Sequence, residues 1–430
     1  MSIKKQSTFR GGKHVPDHKG LTNAKSIERM PAPKTVYISL AQHIGKPSKV
    51  AVTAGERVKK GQMVGEEVGF ISACVYSSVS GVVKEIKTIT TPFGAAEYVV
   101  IENDGLEEEI SLPPIDKDSG AEISERVRKA GIVGLGGAGF PTYVKMATND
   151  KIDTVLINGA ECEPYLTCDH RSMIERPEEL VKGARYMAKA LNARNIVIGI
   201  EENKPDAIKI LGGFDDITVV PLKKKYPQGS EKQIIYACLK RKVAPGKLPS
   251  SAGVCVFNVQ TALQTYEAIE LNKPLYERVM TVTGEGIKEP KNVIVRNGTP
   301  YSEILEYCGG LTDGAVKLIA GGPMMGKILP SVSGYARKTD SGLLVLSEKE
   351  TSLLSPTACI NCGRCRKVCP MRLMPMYIDL YTRTGNYERA DDYGVSNCFE
   401  CGTCAYVCPA KRDLVGSVQL CKRKLRELRS

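Results

Sequence analysis

Eight cysteines near the C-terminus carry the strongest chemical signal in the chain. They fall in two runs, Cys359-Ile-Asn-Cys362-Gly-Arg-Cys365-Arg-Lys-Val-Cys369-Pro370 and Cys398-Phe-Glu-Cys401-Gly-Thr-Cys404-Ala-Tyr-Val-Cys408-Pro409. Both read C-x2-C-x2-C-x3-C-P, the spacing that ligates cubane [4Fe–4S] clusters. Three thiolates at this interval wrap a turning backbone around three iron corners. The fourth, a helical turn further on, reaches away, and the proline closes the segment. Where two such runs share a domain, the fourth cysteine of each serves the other cluster. The spacing therefore assigns Cys359, Cys362, Cys365 and Cys408 to one cluster, and Cys398, Cys401, Cys404 and Cys369 to a second.

Structural zinc would use paired C-x2-C without a third cysteine in phase and a following proline. Disulfides would need an oxidising compartment, for which nothing else in the sequence speaks. The remaining cysteines, Cys74, Cys162, Cys168, Cys238, Cys255, Cys308 and Cys421, are scattered in mostly apolar surroundings. They read as small buried hydrophobes.

The rest of the chain must position this chemistry. At 430 residues it exceeds a single core and should hold about three or more domains. No apolar run is long enough to span a bilayer. The basic first residues lack the apolar core of a signal peptide, so the chain is expected in the cytoplasm. The net charge of +12 is unevenly placed: residues 1–34 carry eight Lys/Arg against two acids, and residues 411–430 seven against two. Such clustering suits an anionic partner or a solvated face. Nucleic acid fits poorly, because the chain has no Trp, few Phe and no recognised binding module. An acidic redox protein or a membrane complex fits better.

Residues 1–34 read as a basic, extended arm. Pro16 separates His14 from His18, so both are expected at the surface rather than as ligands. Residues 35–108 show short strands with glycine turns, similar to the barrel-sandwich hybrid of biotinyl and lipoyl carriers. Those carriers modify a lysine on an exposed hairpin; here none lies between Lys60 and Lys84, which leaves a structural or docking role. Residues 109–275 read as an α/β domain. A helix over 121–130, capped by Ser119, leads into Gly134-Leu-Gly136-Gly137-Ala-Gly139-Phe140-Pro141-Thr142. Pro141 can open a helix whose free amides would hold a phosphate. Apolar strands at 153–158, 195–200, 217–221 and 253–257 alternate with helices at 177–191, 230–240 and 260–271, which implies a parallel sheet. Ligands of such sheets sit outside the carboxyl ends of the strands. Asn158 ends one strand and runs into Gly159-Ala-Glu161-Cys-Glu163-Pro164, two carboxylates beside the glycine loop. Residues 276–350 return to short strands with glycine turns, and within 351–430 the segments 376–381 and 386–392 read as helices, the mark of a helical two-cluster ferredoxin domain.

The glycine loop through Lys145 resembles the flavin loop of the flavoprotein subunit of respiratory complex I. Asn158-x-x-Glu161-x-Glu163-Pro164, Tyr226 with Gly229-x-Glu231, and Asn258-Val259-x-Thr261 are similar to further motifs of that family. The resemblance implies that Gly134, Gly136, Gly137, Gly139, Lys145, Asn158, Glu161, Tyr226 and Asn258 hold FMN. It also implies that Phe140, Glu163 and Glu231 line an NAD(H) site. Leu135 stands where that family has an arginine, Phe257 replaces one of its paired asparagines, and the double ferredoxin run replaces its own cluster domain. The arm with Gly11-Gly12, Gln42-His43-Ile44-Gly45, Gly199-Ile-Glu201-Glu-Asn203-Lys204-Pro205, the barrel-sandwich segment and the tail together resemble the C subunits of the Rnf ion-translocating ferredoxin–NAD oxidoreductases. Residues 276–350 resemble the soluble ligand-binding β-grasp (SLBB) module seen beside the flavin domain in both families. His43 is assigned no chemistry, and Met324-Met325 is expected to pack.

A hydride carries two electrons and a cubane cluster passes one, so a protein handling both needs a carrier such as flavin between them. No side chain is assigned as a general acid or base. The resemblance implies Rnf membrane subunits and a ferredoxin-type iron–sulfur subunit as partners. It also implies coupling to Na+ or H+ and a peripheral place on the cytoplasmic face of the membrane. A soluble NADH-linked flavoprotein of a bifurcating enzyme, and a scaffold that only relays electrons, are the alternatives.

Overall fold

The computed structural model describes residues 7–351 and 355–429. The first six residues of the basic arm and three residues of the linker before the cysteine runs lie outside them. From Ser7 the arm crosses three of the four domains and ends as β1 (Ile27–Arg29). His14 and His18 are exposed as expected, but the arm is not a solvated tail: Phe9, Lys19, Thr22 and Met30 are all buried.

Two small antiparallel sheets follow. Strands β2 (Thr35–Ser39), β3 (Lys49–Val50), β4 (Arg57–Val58), β5 (Met63–Glu66), β6 (Val75–Tyr76), β7 (Gly81–Thr91) and β8 (Gly94–Asn103) pair in the orders β2-β8-β7-β4 and β3-β5-β6. Period-two alternation sends Val36, Ile38, Val83, Val99 and Ile101 inward to one core. The connection from β5 to β6, where a carrier would display its lysine, instead exposes Phe70.

The α/β domain opens with α1 (Gly120–Lys129), whose first turn is closed by the Ser119 side chain accepting from the Glu122 amide. After α2 (Thr142–Met146) come β9 (Thr154–Gly159), α3 (Cys168–Glu175), α4 (Pro177–Ala190), β10 (Asn195–Glu201), α5 (Pro205–Leu211), β11 (Ile217–Leu222), α6 (Glu231–Leu239), β12 (Val254–Asn258) and α7 (Val259–Glu270). The sheet is fully parallel in the order β11-β10-β9-β12. Its near-continuous apolar strands are buried on both faces, with α1, α4 and α7 on one side and α6 on the other. One expectation is corrected. Pro141 caps a helix of only five residues, and the Thr142 amide is already bonded to the Ile132 carbonyl at 3.0 Å. The amide at that helix start is therefore not free for a phosphate.

The third domain holds β13 (Glu277–Thr283), β14 (Lys291–Arg296), α8 (Tyr301–Tyr307), β15 (Ala315–Ala320), β16 (Lys327–Leu329) and β17 (Gly342–Ser347). Its mixed sheet runs β1-β14-β13-β17-β15-β16, so the arm supplies an edge strand. The last domain is helical: α9 (Arg364–Val368), α10 (Pro375–Arg383), α11 (Tyr387–Asp392), α12 (Thr403–Tyr406) and α13 (Leu414–Arg429). Leu414, Val418, Cys421 and Leu425 form the buried stripe of α13. The buried Asp379 carboxylate accepts from Arg412 at 2.7 Å and from Ser417 at 2.7 Å, fixing α10 to the start of α13.

Helices α4 and α7 meet backbone to backbone, because a Cβ on Gly183 would collide with the Ala262 carbonyl oxygen. Helix propensity alone would favour alanine at this position by about 1 kcal/mol. Displacing a backbone carbonyl in a packed core costs about 1–3 kcal/mol, so the steric effect wins. Gly183→Ala should therefore lower the urea midpoint of this domain; an unchanged or higher midpoint would show that the helix pair gives way freely.

Candidate functional site

Strand order places the site. Going outward from β9, the chain first adds β10 and β11 on one side, then returns to add β12 on the other. The reversal leaves a crevice between the carboxyl ends of β9 and β12, the usual ligand position in such sheets. The residues at those ends are Asn158 and Asn258, aligned in register. Asn158 Nδ2 donates to the Gly229 carbonyl at 2.6 Å, and Asn258 Nδ2 donates to Asp169 Oδ2 at 2.6 Å. Asn258 Oδ1 caps α7 by accepting from the Gln260 amide.

The glycine loop covers this crevice. A Cβ on Gly136 would lie 3.0 Å from Asn258 Cβ, so the loop lies directly on that side chain, whereas Gly137 faces open space. The Leu135 amide donates to Thr261 Oγ1, and Gly134 N–H donates to the Phe140 carbonyl, which closes the loop on itself. Lys145 pairs with Glu231 and also donates to the Val256 carbonyl at 3.1 Å.

The turn from β9 to α3 brings carboxylates inward. Glu161, with a φ of 44°, accepts from the Asp169 amide at 2.7 Å, and its second oxygen faces Lys19 Nζ of the arm at 3.6 Å. Lys19 also donates to the Glu163 carbonyl at 3.0 Å and to the Leu166 carbonyl. Burial, and then the Glu161 charge, push the Asp169 carboxyl up to about 7. Burial likewise lifts Glu163 to about 7, although the Met324 amide donates to its Oε2 at 3.1 Å. Gln228 Nε2 is buried without a hydrogen-bond partner, Glu161 Oε2 has only the Lys19 ammonium at 3.6 Å, and Glu163 Oε1 and the Tyr226 hydroxyl face each other without a well-formed bond. Unsatisfied polar atoms beside an open glycine loop fit a polar, planar ligand such as a flavin.

The tail docks beside this turn. Burial, and then the charges of Glu163, Cys162 and Cys401, raise the Tyr226 hydroxyl. A Cβ on Gly402 would meet the Met324 carbonyl at 2.7 Å. Within the tail, burial raises the Cys404 thiol, and Cys401, Cys398 and Cys369 add to the effect, so these four share one environment. Cys365 is raised by burial, with Cys408 and Cys359 contributing. The Leu373 amide points at Cys369 Sγ at 3.3 Å and the Glu400 amide at Cys398 Sγ at 3.4 Å. Backbone donors aimed at sulfur suit thiolates that ligate a cluster. Cys359 and Cys362 are exposed, whereas Cys369 and Cys401 are buried.

The structure thus gathers Gly136, Asn158, Glu161 and Asn258 around one crevice. It joins Lys145 to Glu231, and sets Glu163 and Tyr226 between that crevice and the tail. Phe140 sits on the glycine loop, half-buried. Sequence reasoning missed Asp169, Lys19 and the Gly322-to-Met324 turn. Asp169 stood one turn beyond the paired glutamates, at the start of α3, and was a legible signal. Lys19 acts across 142 residues of sequence from Glu161, and no local pattern marks it. His43 is structural as expected: its Nε2 takes the Ala73 amide at 3.1 Å.

Four families match the chain: an RnfC barrel sandwich hybrid domain over residues 7–106, a Nuo51 FMN-binding domain over 127–267, an SLBB domain over 279–327 and a 4Fe-4S dicluster domain over 352–409. The chain is 42% identical to the C subunit of the proton-translocating ferredoxin:NAD(+) oxidoreductase complex of Clostridium ljungdahlii, covering 96% of this chain and 93% of that one. It is 42% identical to the C subunit of the Na(+)-translocating ferredoxin:NAD(+) oxidoreductase complex of Acetobacterium woodii, covering 98% of each. With the C subunit of the ion-translocating oxidoreductase complex of Rhodobacter capsulatus the identity is 40%, over 98% of this chain and 84% of the relative. A crystal structure of an NAD+-reducing [NiFe]-hydrogenase shares the fold with a TM-score of 0.52 at 15% identity, over 73% of this chain and 63% of that one. The FMN-binding and dicluster matches support FMN and iron–sulfur clusters as the cofactors, and NAD(H) fits as the substrate.

Asp169 gives the site a pH signature. Its folded pKa of about 7 lies above the ordinary carboxylate value, so between roughly pH 4 and 7 the folded chain keeps a proton that the unfolded chain releases. That stability is fully present below the window and lost as pH rises through it; Glu163 acts in the same sense. Melting of the cofactor-free protein from pH 5 to 8 should show Asp169→Asn gaining on the parent as pH rises. Parallel curves would exclude a buried, protonated Asp169.

Proposed function

This chain belongs to the family of C subunits of the Rnf ion-translocating ferredoxin:NAD(+) oxidoreductases, and from that premise we propose that it is the NAD(H)-reacting subunit of such a complex. Membership makes it a subunit of an NAD-linked redox enzyme with other Rnf subunits as partners. The finer reading is that it takes electrons to or from NAD(H) at the glycine-loop crevice and passes them singly through two clusters to a ferredoxin-type partner, with Na+ or H+ movement in the membrane subunits. Among the described residues no helix is long and apolar enough to cross a membrane, which suits a peripheral subunit on the cytoplasmic face, held by its partners.

The observation that carries this reading is the seat of the Cys401–Gly402 loop on the Met324 carbonyl, beside the Met324 amide that donates to Glu163 Oε2 at 3.1 Å next to the switch-point crevice. It supports an order in which the cluster of Cys398, Cys401, Cys404 and Cys369 is proximal to the crevice. The cluster of Cys359, Cys362, Cys365 and Cys408, with two exposed cysteines, then faces outward.

When bound, FMN supplies the exchange between the electron pair of NAD(H) and the single electrons that clusters carry. The chain's own residues orient and enclose. Gly134, Gly136, Gly137 and Gly139 admit the ligand close to the backbone, and Asn158, Asn258 and Glu161 set its polar edge. Lys145 supplies a positive charge for a phosphate or polar edge, and releases Glu231 in doing so. Phe140 stacks, while Glu163 and Glu231 receive the nucleotide's hydroxyl groups. Tyr226 closes the side nearest the tail. In this scheme residues 1–34 form the arm, 35–108 the barrel-sandwich unit, 109–275 the flavin domain, 276–350 the SLBB module and 351–430 the cluster domain.

Glu163→Gln should slow flavin bleaching by NADH about tenfold, the value of one charge-assisted hydrogen bond, while dithionite reduction is unchanged. Equal loss with both reductants would point to misfolding instead. Cross-ligation is separately testable in anaerobic protein carrying about eight irons. Cys369→Ser should lose the same EPR signal as Cys401→Ser, and Cys408→Ser the same as Cys365→Ser. Pairing within each run instead would overturn the assignment.

A further inference from the structure

The Gly11-Gly12 pair is used by none of the chemistry above, yet it lies between the flavin crevice and the tail. The Lys13 amide donates to the Tyr226 carbonyl at 2.8 Å and the Tyr226 amide donates back to the Lys13 carbonyl at 2.9 Å. On its other side the Gly12 amide donates to the Val368 carbonyl at 2.7 Å, one residue before Cys369. Both glycines adopt positive φ, 93° and 71°. A Cβ on Gly11 would lie 2.8 Å from the Cys369 carbonyl oxygen, and one on Gly12 would lie 2.6 Å from the Tyr226 carbonyl oxygen. The gap between Tyr226 and the Cys369 segment is thus one backbone thick, and no side chain fits in it.

The strand is anchored at both ends. Upstream, Phe9 is buried, its ring lies 4.4 Å from Lys225 Nζ, and the same ammonium donates to the Phe9 carbonyl at 2.8 Å. Ser7 bridges to Leu222 at the end of β11. Downstream, the Asp17 carbonyl accepts from the Tyr165 amide at 2.7 Å, and the Asp17 carboxylate pairs with Lys224 at 2.7 Å. Next to this segment, Gln233 Nε2 of the flavin side reaches the Pro370 carbonyl and Met371 Sδ, both at a long 3.5 Å.

We propose that the N-terminal strand, with Gly11-Gly12 at its centre, is the spacer that sets the separation between the flavin crevice and the Cys369-ligated cluster, and so the rate of electron passage between them. This deepens the proposed function and rests on it. Electron passage weakens steeply with distance, so a rigid one-backbone spacer fixes a rate that side-chain packing would leave variable. A methyl group at Gly12 would lie within 2.8 Å of the Tyr226 carbonyl oxygen, Lys225 Cε and Phe9 Cζ, so it forces the segment off Tyr226 and disturbs the Gly12 amide's bond to the Val368 carbonyl on the tail side.

The test uses the full chain, prepared anaerobically with its FMN and iron, as Gly12→Ala and as Phe9→Ala, which loosens the strand without adding bulk. Stopped-flow absorbance separates flavin bleaching by NADH from the cluster reduction that follows, and hydrogen exchange reads the strand directly. FMN and iron contents, NADH bleaching and dithionite reduction should stay within about twofold of the parent. NADH-driven cluster reduction should slow at least tenfold in Gly12→Ala and less in Phe9→Ala, a range expected for ångström-scale misplacement. The Gly12, Lys13 and Tyr226 amides should exchange faster while those of β9 do not. If Gly12→Ala does not load its cofactors, Phe9→Ala decides alone. Parent-like cluster reduction despite faster exchange overturns the proposal, as does a fall in bleaching by the same factor. Failure of the parent itself to bind FMN or bleach with NADH overturns the functional reading instead.

Discussion

Two buried ammonium groups hold the turn on which the site is built. Lys204 is fully enclosed and donates to the Ala160 carbonyl at 2.8 Å; Lys19, 5% exposed, reaches the Glu163 and Leu166 carbonyls. The backbone of this turn bends its carbonyls inward, with Glu161 and Tyr165 both at positive φ, and inward carbonyls in a dry interior must find donors. Lysine supplies several donors at once, but only where its own charge is answered. Glu161 at 3.6 Å from Lys19 and Glu201 at 3.9 Å from Lys204 do so. Removing one partner from such a buried set typically costs about 3–5 kcal/mol. The carboxylates, the arm and the end of β10 therefore stand or fall together.

The other modules bear on the crevice through the same device of one buried donor joining separate pieces of chain. Lys338, from the third domain, donates to the Cys74 carbonyl of the barrel-sandwich unit at 2.6 Å and to the Gly131 carbonyl after α1 at 2.8 Å. Burial lowers it to about 7, and the two carbonyls it donates to fix its position. Arg278, also buried, donates to the Leu135 and Lys338 carbonyls and steadies the glycine loop from behind. The Met324 peptide does the same with opposite polarity: its amide serves Glu163 while its carbonyl abuts Gly402. What looked like a packing pair of methionines is a backbone contact between the carboxylate turn and the cluster loop.

These ties explain where sequence reading succeeded. Strands β9 to β12 and helices α4, α6 and α7 follow local rules of burial and capping, so apolar runs and periodicity located them within a residue or two. The cysteine spacing was legible because it is a purely local pattern, repeated twice within fifty residues. Asn158 and Asn258 were found as motif residues, but their side-by-side register depends on the order in which strands join the sheet. Lys19, Lys338 and Met324 were invisible because each acts on residues more than a hundred positions away, through backbone carbonyls or amides that every residue type possesses. The arm shows the same limit. Its composition read as an extended basic arm suited to an anionic partner or a solvated face, yet the charge of Lys19 is answered internally by Glu161.

The barrel-sandwich unit shows how a carrier fold becomes a wall. A swinging arm needs a free lysine on a mobile hairpin, whereas here the β5–β6 connection is fastened to the α/β domain. The Tyr143 hydroxyl donates to the Phe70 carbonyl, and the two rings meet edge to face at 6.2 Å. Nearby, the Ile44 amide donates to the Gly139 carbonyl at 3.1 Å, and a Cβ on Gly139 would press toward Gln42 and His43. The glycine loop is thus bounded by Asn258 on the sheet side and by the barrel-sandwich unit on the other. A loop rich in glycine would lose entropy on ordering around a ligand. Contact on both flanks places that cost in folding rather than in binding, and leaves the loop's open face at Gly137 as the way in.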